Sequence, residues 1–201
     1  MAERAIAQYL TEVEYFALEE KSDIKHEYFG GEVFAMAGGT YNHSLIVSNL
    51  NRHLGILLRG KCKVTAQDLR LKVEATGLLA YPDVSVVCGK PTLLHPPADT
   101  LVNPTLIGEV LSSSTEHYGR TFKFDQYKQI PSLSTYIVVS QYAPHVEQYV
   151  PKPDFWEYTS ASSLEGRLEL LAFGVTIELS EIYLNVEFET MPGGFRLPIF
   201  R

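Results

Sequence analysis

The stretch Thr105–Leu111, TLIGEVL, is apolar at even and odd positions alike, with the single exception of Glu109. A strand with one wet face alternates, so a run that stays apolar on both parities predicts a central strand covered on both sides. Glu109 is then its informative residue. A charge inside an apolar strand is costly unless it is paired, hydrated or bound to metal.

Ahead of this strand, Tyr81–Cys88 is a β-branched run after a turn at Gly77 and predicts a second strand. Residues 89–104 hold four prolines and read as a surface loop. Further back, Cys62, Val64 and Ala66 occupy even positions, whereas Leu69, Leu71 and Val73 occupy odd ones. Strand parity changes only when a residue is inserted, so a bulge is expected near Gln67–Asp68. Ile46, Val47, Leu50, Leu54, Leu57 and Leu58 recur at helical spacing behind Gly38–Gly39, and Gly60 stops that helix. His26–Ala37, broken by Gly30–Gly31, reads as a β-hairpin. Thr11 and Glu14 form a capping box, with Leu10 and Tyr15 as its staple, for a helix ending near Lys21.

On the other side, Ser112–Glu116 is a turn whose hydroxyls cap a helix from about His117 to Gln129, ended by Pro131. Thr135–Ser140, His145–Val150 and Phe155–Thr159 are three more strands, and the tail from Leu168 mixes strand, turn and irregular structure. Strands both adjacent and interleaved with helices give an α/β (α+β) class with a mixed sheet. A length of 201 residues fits one domain, 1–201.

Composition sets further bounds. The net charge of −7 argues against a nucleic-acid partner until its distribution is considered. Between Asp154 and Glu189 there are eight acids and one base, Arg167, so the remainder of the chain is balanced. Within that remainder, Arg52, Arg59, Lys61, Lys63, Arg70 and Lys72 face only Asp68, an excess that suits phosphates or, equally, a solvated helix end and strand edge. Cys62 and Cys88 lack CxxC spacing, and reduced, buried thiols are expected. The N-terminus shows Glu3 and Arg4 and no apolar leader, and nothing approaches the ~18 apolar residues of a membrane span. A cytoplasmic location is the expectation.

Asp83 is a second charge in apolar company, behind Pro82 and ahead of Val84–Val87. Either acid alone also reads as a strand-end carboxylate paired with a lysine or a backbone amide. Together, on adjacent strands, they make the hard oxygen pocket that magnesium prefers. The six histidines lack HxxxH-type spacing, which argues against a zinc hydrolase. His43 falls on the apolar face of its helix, where a core role and a ligand role both fit.

Pro82-Asp83 followed by Glu109 in a central strand resembles the PD-(D/E)xK motif of restriction-type nucleases. The wider set is similar to the Uma-two family of endonucleases: YLTEVEYFALEE, HEYFGGEVFAMAGGTYNHS, YPDVSVV, LIGEVLSSST, and KFDQY followed by STYIVVS, over roughly residues 9–150. The resemblance implies a restriction-endonuclease-like mixed sheet flanked by helices, and the additional strands read at the C-terminus lie beyond the resembling core. It also implies DNA phosphodiester cleavage with Mg2+ or Mn2+. Asp83, Glu109 and the Val110 backbone carbonyl would hold the metal, and Glu32 would add an acid nearby. Two departures stand out. The lysine position two residues after Glu109 is Leu111, and the resemblance places the lysine at Lys123 on the next helix, where its spacing to Tyr127 and Ile130 lets it face the sheet. Lys128 is the second choice. Gly119 stands where relatives often carry an acid, which removes an accessory role there. Gln67 and Asp68 are further candidates for metal or water contacts.

Two rival readings are a catalytically inactive nuclease-like module that binds DNA or protein, and a hydrolase of another phosphate compound. A homodimer is expected, with Phe155–Phe188 contributing, since such nucleases commonly address two strands and closed twofold dimers are the commonest soluble oligomer.

Overall fold

The computed structural model describes residues 9–36, 38–94, 99–112 and 118–188. Helix α1 (Glu12–Glu19) starts at the capping box: Glu14 N donates to Thr11 Oγ1 and Thr11 N donates to Glu14 Oε2. Strands β1 (His26–Phe29) and β2 (Glu32–Ala35) form the expected hairpin, turning on Gly30 and Gly31, both at positive φ where a side chain would be strained. Thr40 caps α2 (Tyr41–Leu57), whose inward stripe is Ile46, Val47, Leu50 and Leu54. Leu50 is fully buried, so its truncation to alanine would cost about 2–5 kcal/mol. Six short strands follow: β3 (Cys62–Ala66), β4 (Arg70–Val73), β5 (Leu78–Ala80), β6 (Val84–Cys88), β7 (Leu93–Leu94) and β8 (Thr100–Leu101). Then come β9 (Leu106–Leu111), a wide π-helical turn over Gly119–Lys123 that runs into α3 (Phe124–Tyr127), β10 (Thr135–Ser140), β11 (His145–Pro151) and β12 (Trp156–Ser162). The chain continues through β13 (Arg167–Leu170) and β14 (Val175–Glu178) to α4 (Leu179–Ile182).

These elements build two six-stranded sheets and a small hairpin. The first sheet runs β2-β1-β5-β4-β8-β7, the second β12-β11-β10-β9-β6-β3, and β13 pairs with β14. Both large sheets are mixed, with parallel β9/β10 and β4/β8 among antiparallel neighbours. Strand β9 is central in the second sheet and buried at every residue, as its two-sided pattern requires. Its even residues Leu106 and Val110 join Val84, Val86, Ile137 and Val139 against α2 and the β13–β14 hairpin. Gly108 lies on this side too, and a Cβ there would press to 3.1 Å from Ile137 and 3.5 Å from Leu50, so glycine permits the close approach of α2. The odd residues Ile107 and Leu111 join Tyr136 and Val138 against the first sheet and α3. Glu109 shares that second face.

Several expectations are corrected. The parity break at Gln67–Asp68 is a full turn, with no bulge: β3 ends at Ala66 in the second sheet and β4 begins at Arg70 in the first. Parity alone does not distinguish an inserted residue from a strand that changes sheets. Tyr81–Cys88 is strand only from Val84, and a separate β5 precedes it. The proline-rich loop contains the two-residue strands β7 and β8. Cys62 and Cys88 are joined in a disulfide, since the β3/β6 register sets them directly opposite each other. The expected helix over 117–129 is shorter and opens with the π turn; Ser113–His117 lie outside the described residues. Within the basic stretch Arg70 is buried and Lys72 pairs with Glu12 at 2.5 Å, whereas Arg52, Arg59, Lys61 and Lys63 are exposed. Among the described residues, no helix is long and apolar enough to cross a membrane.

Candidate active site

The register of the second sheet assembles the acids. Val84 opposes Gly108, so one residue further Asp83 stands beside Glu109. Glu109 in turn opposes Val138, and Val138 opposes Glu147. Cross-strand partners share a face, so Asp83, Glu109 and Glu147 form one row pointing toward the first sheet and α3. Pro82 directly precedes Asp83, where its missing N–H leaves no ladder bond unmade.

Asp83 is held at three points. Val110 N donates to Oδ2 at 2.7 Å, Gln67 Nε2 donates to Oδ1 at 2.8 Å, and His43 Nε2 lies 3.3 Å from Oδ2. Burial works to raise the pKa of Asp83, but these partners outweigh it and hold the carboxyl below its usual range. Burial likewise opposes the charge of His43, yet Asp83, Glu109 and the Val110 backbone raise its pKa. The ring packs on Gly39, where a Cβ would come within 2.8 Å of Nδ1.

Lys123 reaches the row from the π turn. Its Nζ lies 3.1 Å from Glu109 Oε1 and 2.7 Å from Glu27 Oε1, and Tyr127 donates to the same Glu109 oxygen at 2.9 Å. Tyr118, from the start of that turn, donates to Glu27 Oε2 at 3.2 Å. Asp83, Glu109, Lys123 and Glu27 are each more than nine-tenths buried. Burial would strip Lys123 of its proton, but the two carboxylates raise its pKa well above normal, so it stays an ammonium. Glu109 shows the reverse balance. Burial and the charges of Asp83 and Glu27 push its carboxyl up to about 7, despite Lys123 and the Tyr127 hydrogen bond. Three acids share one lysine and one histidine, so the pocket is short of positive charge. One turn earlier Arg120 lies 2.8 Å from Glu147, with both Nε and Nη2 on one oxygen, and His145 and Tyr149 also meet that carboxylate.

The donor chemistry fits a hard divalent cation: two oxygen acids side by side, a deficit of positive charge, and the Val110 peptide alongside. Among the described residues no three histidine, cysteine or carboxylate side chains form a closed metal cage. Magnesium does not require one, since it is usually held by one or two carboxylates with waters and substrate oxygens completing its shell.

The sequence profile of the Uma2 family, described as "Putative restriction endonuclease", matches residues 13–186. The chain belongs to this family. The chain is also similar to two uncharacterized proteins of Synechocystis sp.: one is 34% identical over 183 residues, covering 89% of this chain and 94% of its own. The other is 33% identical over 146 residues, covering 72% and 82%. A crystal structure from Anabaena variabilis, titled a putative nuclease belonging to DUF820, superposes with a TM-score of 0.68 at 14% identity over 85% of this chain and 96% of that one. At that identity the likeness shows the fold, a mixed α+β nuclease-like architecture.

Within this Uma2 chain the residues singled out by sequence fall into two sets. Asp83, Glu109, Lys123, His43 and Gln67 converge, together with the Val110 peptide. Glu32 and Asp68 do not. Glu32 is exposed beside the hairpin turn, opposite Phe29. The side chain of Asp68 is 94% exposed and pairs with Lys25. The acid that joins Lys123 is Glu27, two residues back from Phe29 on the same face of β1. Sequence alone does not separate it from Glu32, because the two acids lie on one face of the hairpin and differ only in burial. Lys128 is spent on Asp125 at 2.5 Å, away from the row. Gly119 is closed off by Leu111, which would meet a Cβ at 2.5 Å, so any side chain at this position would have to displace that leucine.

Proposed function

We propose that the chain is a divalent-metal-dependent endonuclease that hydrolyses phosphodiester bonds of DNA. The observation that carries this reading is the buried Lys123 ammonium, held between Glu109 and Glu27 beside Asp83. That arrangement supplies, from a helix, the lysine that the strand position Leu111 lacks. Asp83, Glu109 and the Val110 carbonyl would hold magnesium or manganese. When bound, such an ion polarises a phosphate oxygen and lowers the pKa of a coordinated water.

The protein's own groups do the rest. Lys123 is fixed by two carboxylates, so its N–H bonds have set directions; it orients the attacking water and offsets charge that grows on the phosphate. Tyr127 and Gln67 keep Glu109 and Asp83 in place through their hydrogen bonds. Two copies would bring two such sites to two strands, and the edge strand β12, with Phe155 and Tyr158 exposed, is the surface we assign to that contact. Light scattering that gives a monomer mass at every concentration would remove the dimer.

The test is cleavage of plasmid and single-stranded DNA with magnesium or manganese. Wild type should cut, and Asp83→Asn and Lys123→Ala should not. Adding Leu111→Lys to Lys123→Ala should restore part of the activity, because position 111 shares a face with Glu109. No cutting of any DNA by wild type in either metal would overturn the proposal.

A further inference from the structure

The N-terminus of α2 is pinned to the end of the second sheet at two places. Thr40 Oγ1 donates to Gln141 Oε1, the residue directly after β10, and His43 meets Asp83 at 3.3 Å. Tyr41 lies between these two anchors and is 81% exposed. Tyr142 follows Gln141, is 47% exposed, and accepts a hydrogen bond from Gln141 Nε2 at 3.4 Å. Gln141 itself is buried. An exposed and a half-exposed tyrosine therefore follow directly in sequence the two residues joined by one part-buried hydrogen bond. They do so at the end of the sheet that carries Asp83. Parallel pairing of β9 and β10 puts Gln141 three residues beyond the row of Glu109, about 10 Å along the strand direction at ~3.3 Å per residue.

Resting on the nuclease reading, we propose that Tyr41 and Tyr142 form a stacking platform for unpaired nucleobases, and that the preferred substrate is DNA with a single-stranded stretch. A single exposed aromatic residue would need no explanation. Two, each next in sequence to a rigid anchor, and one of them between the anchors that join α2 to the acids, form a placed surface. The charge of the molecule favours the same occupant. Three acids at the site face one lysine and one histidine, so capture of a duplex through its phosphates there is weak. Stacking does not depend on neutralising the backbone, and every base offers a face to it. A DNA strand whose phosphate lies at Asp83 and Glu109 reaches the end of β10, where Gln141 and Tyr142 follow, within about 10 Å along the strand direction.

The experiment is fluorescence anisotropy with the full chain carrying Asp83→Asn, so that nothing is cut, titrated against a labelled single-stranded oligonucleotide and against its duplex. The expected result is tighter binding of the single strand. Tyr41→Ala should weaken it about tenfold and Tyr142→Ala somewhat less, with Tyr41→Phe close to the parent and duplex binding unchanged. Both tyrosines are exposed, so the variants should keep the parent's melting temperature. Single-strand binding that survives Tyr41→Ala and Tyr142→Ala, equal losses on single strand and duplex, or no binding by the parent would each overturn the platform. These outcomes separate from failure of the nuclease reading. Metal-dependent cutting with no effect of the tyrosines removes the platform alone, and tyrosine-dependent binding with no cutting by wild type removes the enzyme alone.

Discussion

Two buried cations sit among acids and tyrosines in this molecule, and they are balanced differently. Arg70, in the first sheet, donates from Nε to Tyr81 at 2.9 Å, lies 3.9 Å from Glu19 and 3.6 Å from Asp99, and stacks over Phe16 at 4.8 Å. Tyr81 donates in turn to Glu19 at 2.6 Å, and the His26 ring meets the other oxygen of Glu19 at 2.7 Å. Glu19 and Asp99 face Arg70, the His26 ring and the Tyr81 hydroxyl bond the two oxygens of Glu19, and the polar network ties α1 to the sheet. Lys123 has Glu27 and Glu109 against it, with Asp83 beside them. There the acids outnumber the cations, and one carboxyl is pushed up to about 7. A network in which Glu19 has a partner at each oxygen serves the fold. An open one leaves chemistry to be done.

The largest expected difference comes from removing each cation. Arg70→Ala strands Glu19 in the interior and should cost about 3–5 kcal/mol of stability, while molecules that remain folded keep their turnover. Lys123→Ala should lower turnover by at least about a hundredfold. It also destabilises, but magnesium or manganese should recover part of that loss, since a cation then has a place between the carboxylates. Paired melting curves with and without metal check this. An equal recovery in both variants would mean that the metal acts elsewhere.

Next in size is the pH dependence. Glu109 has its folded pKa raised from the ordinary 4.5 to about 7. The folded state therefore favours its protonated form, and this contribution is fully present below about 4.5 and is lost as pH rises through 7. At about 1.4 kcal/mol per unit the loss is on the order of 3 kcal/mol. Glu109→Gln should flatten the fall between pH 5 and 8. Metal should flatten it too, because the cation displaces the proton, and its affinity should grow as pH passes 7. Denaturant melts across that range measure both effects. A wild-type stability indifferent to pH there would show that Lys123 alone balances the site.

Much of this was legible in the sequence, and the part that was not has a physical reason. Glu109 and Asp83 were visible because charge in an apolar strand is rare and costly. Lys123 followed from helix spacing together with the family resemblance, and its inward face survives the π turn. The disulfide was missed because it depends on the β3/β6 register, which sequence alone does not set. The sheet switch at Gln67 was missed because a turn and a bulge leave the same parity mark. The Arg70 network was read as part of a basic stretch, since nothing local reveals that Glu19 and Tyr81 come to meet it. Glu27 was passed over for Glu32 because both lie in one hairpin, and only burial separates them.

That pair gives the finest test of the comparison. Glu27 and Glu32 lie on one hairpin and on one face of it, in register with Phe34 and Phe29. Only Glu27 touches Lys123. Glu27→Gln keeps a side chain able to bond Tyr118 but removes one negative charge from the pocket. Glu27 is among the charges that raise the pKa of Glu109, so its neutralisation should move the Glu109 transition to lower pH. Lys123 loses one of its two carboxylates and is held less firmly. Turnover should fall about tenfold, near the lower end of what one misplaced electrostatic contact costs. Glu32→Gln should change neither the rate nor the transition, because an exposed charge at a hairpin end is screened by solvent. The checks are a pH–rate profile and a pH–stability profile of the two variants beside wild type. A shift in Glu32→Gln without one in Glu27→Gln would mean that β1 presents the other acid to the lysine, and the open charge balance would then need to be counted without Glu27.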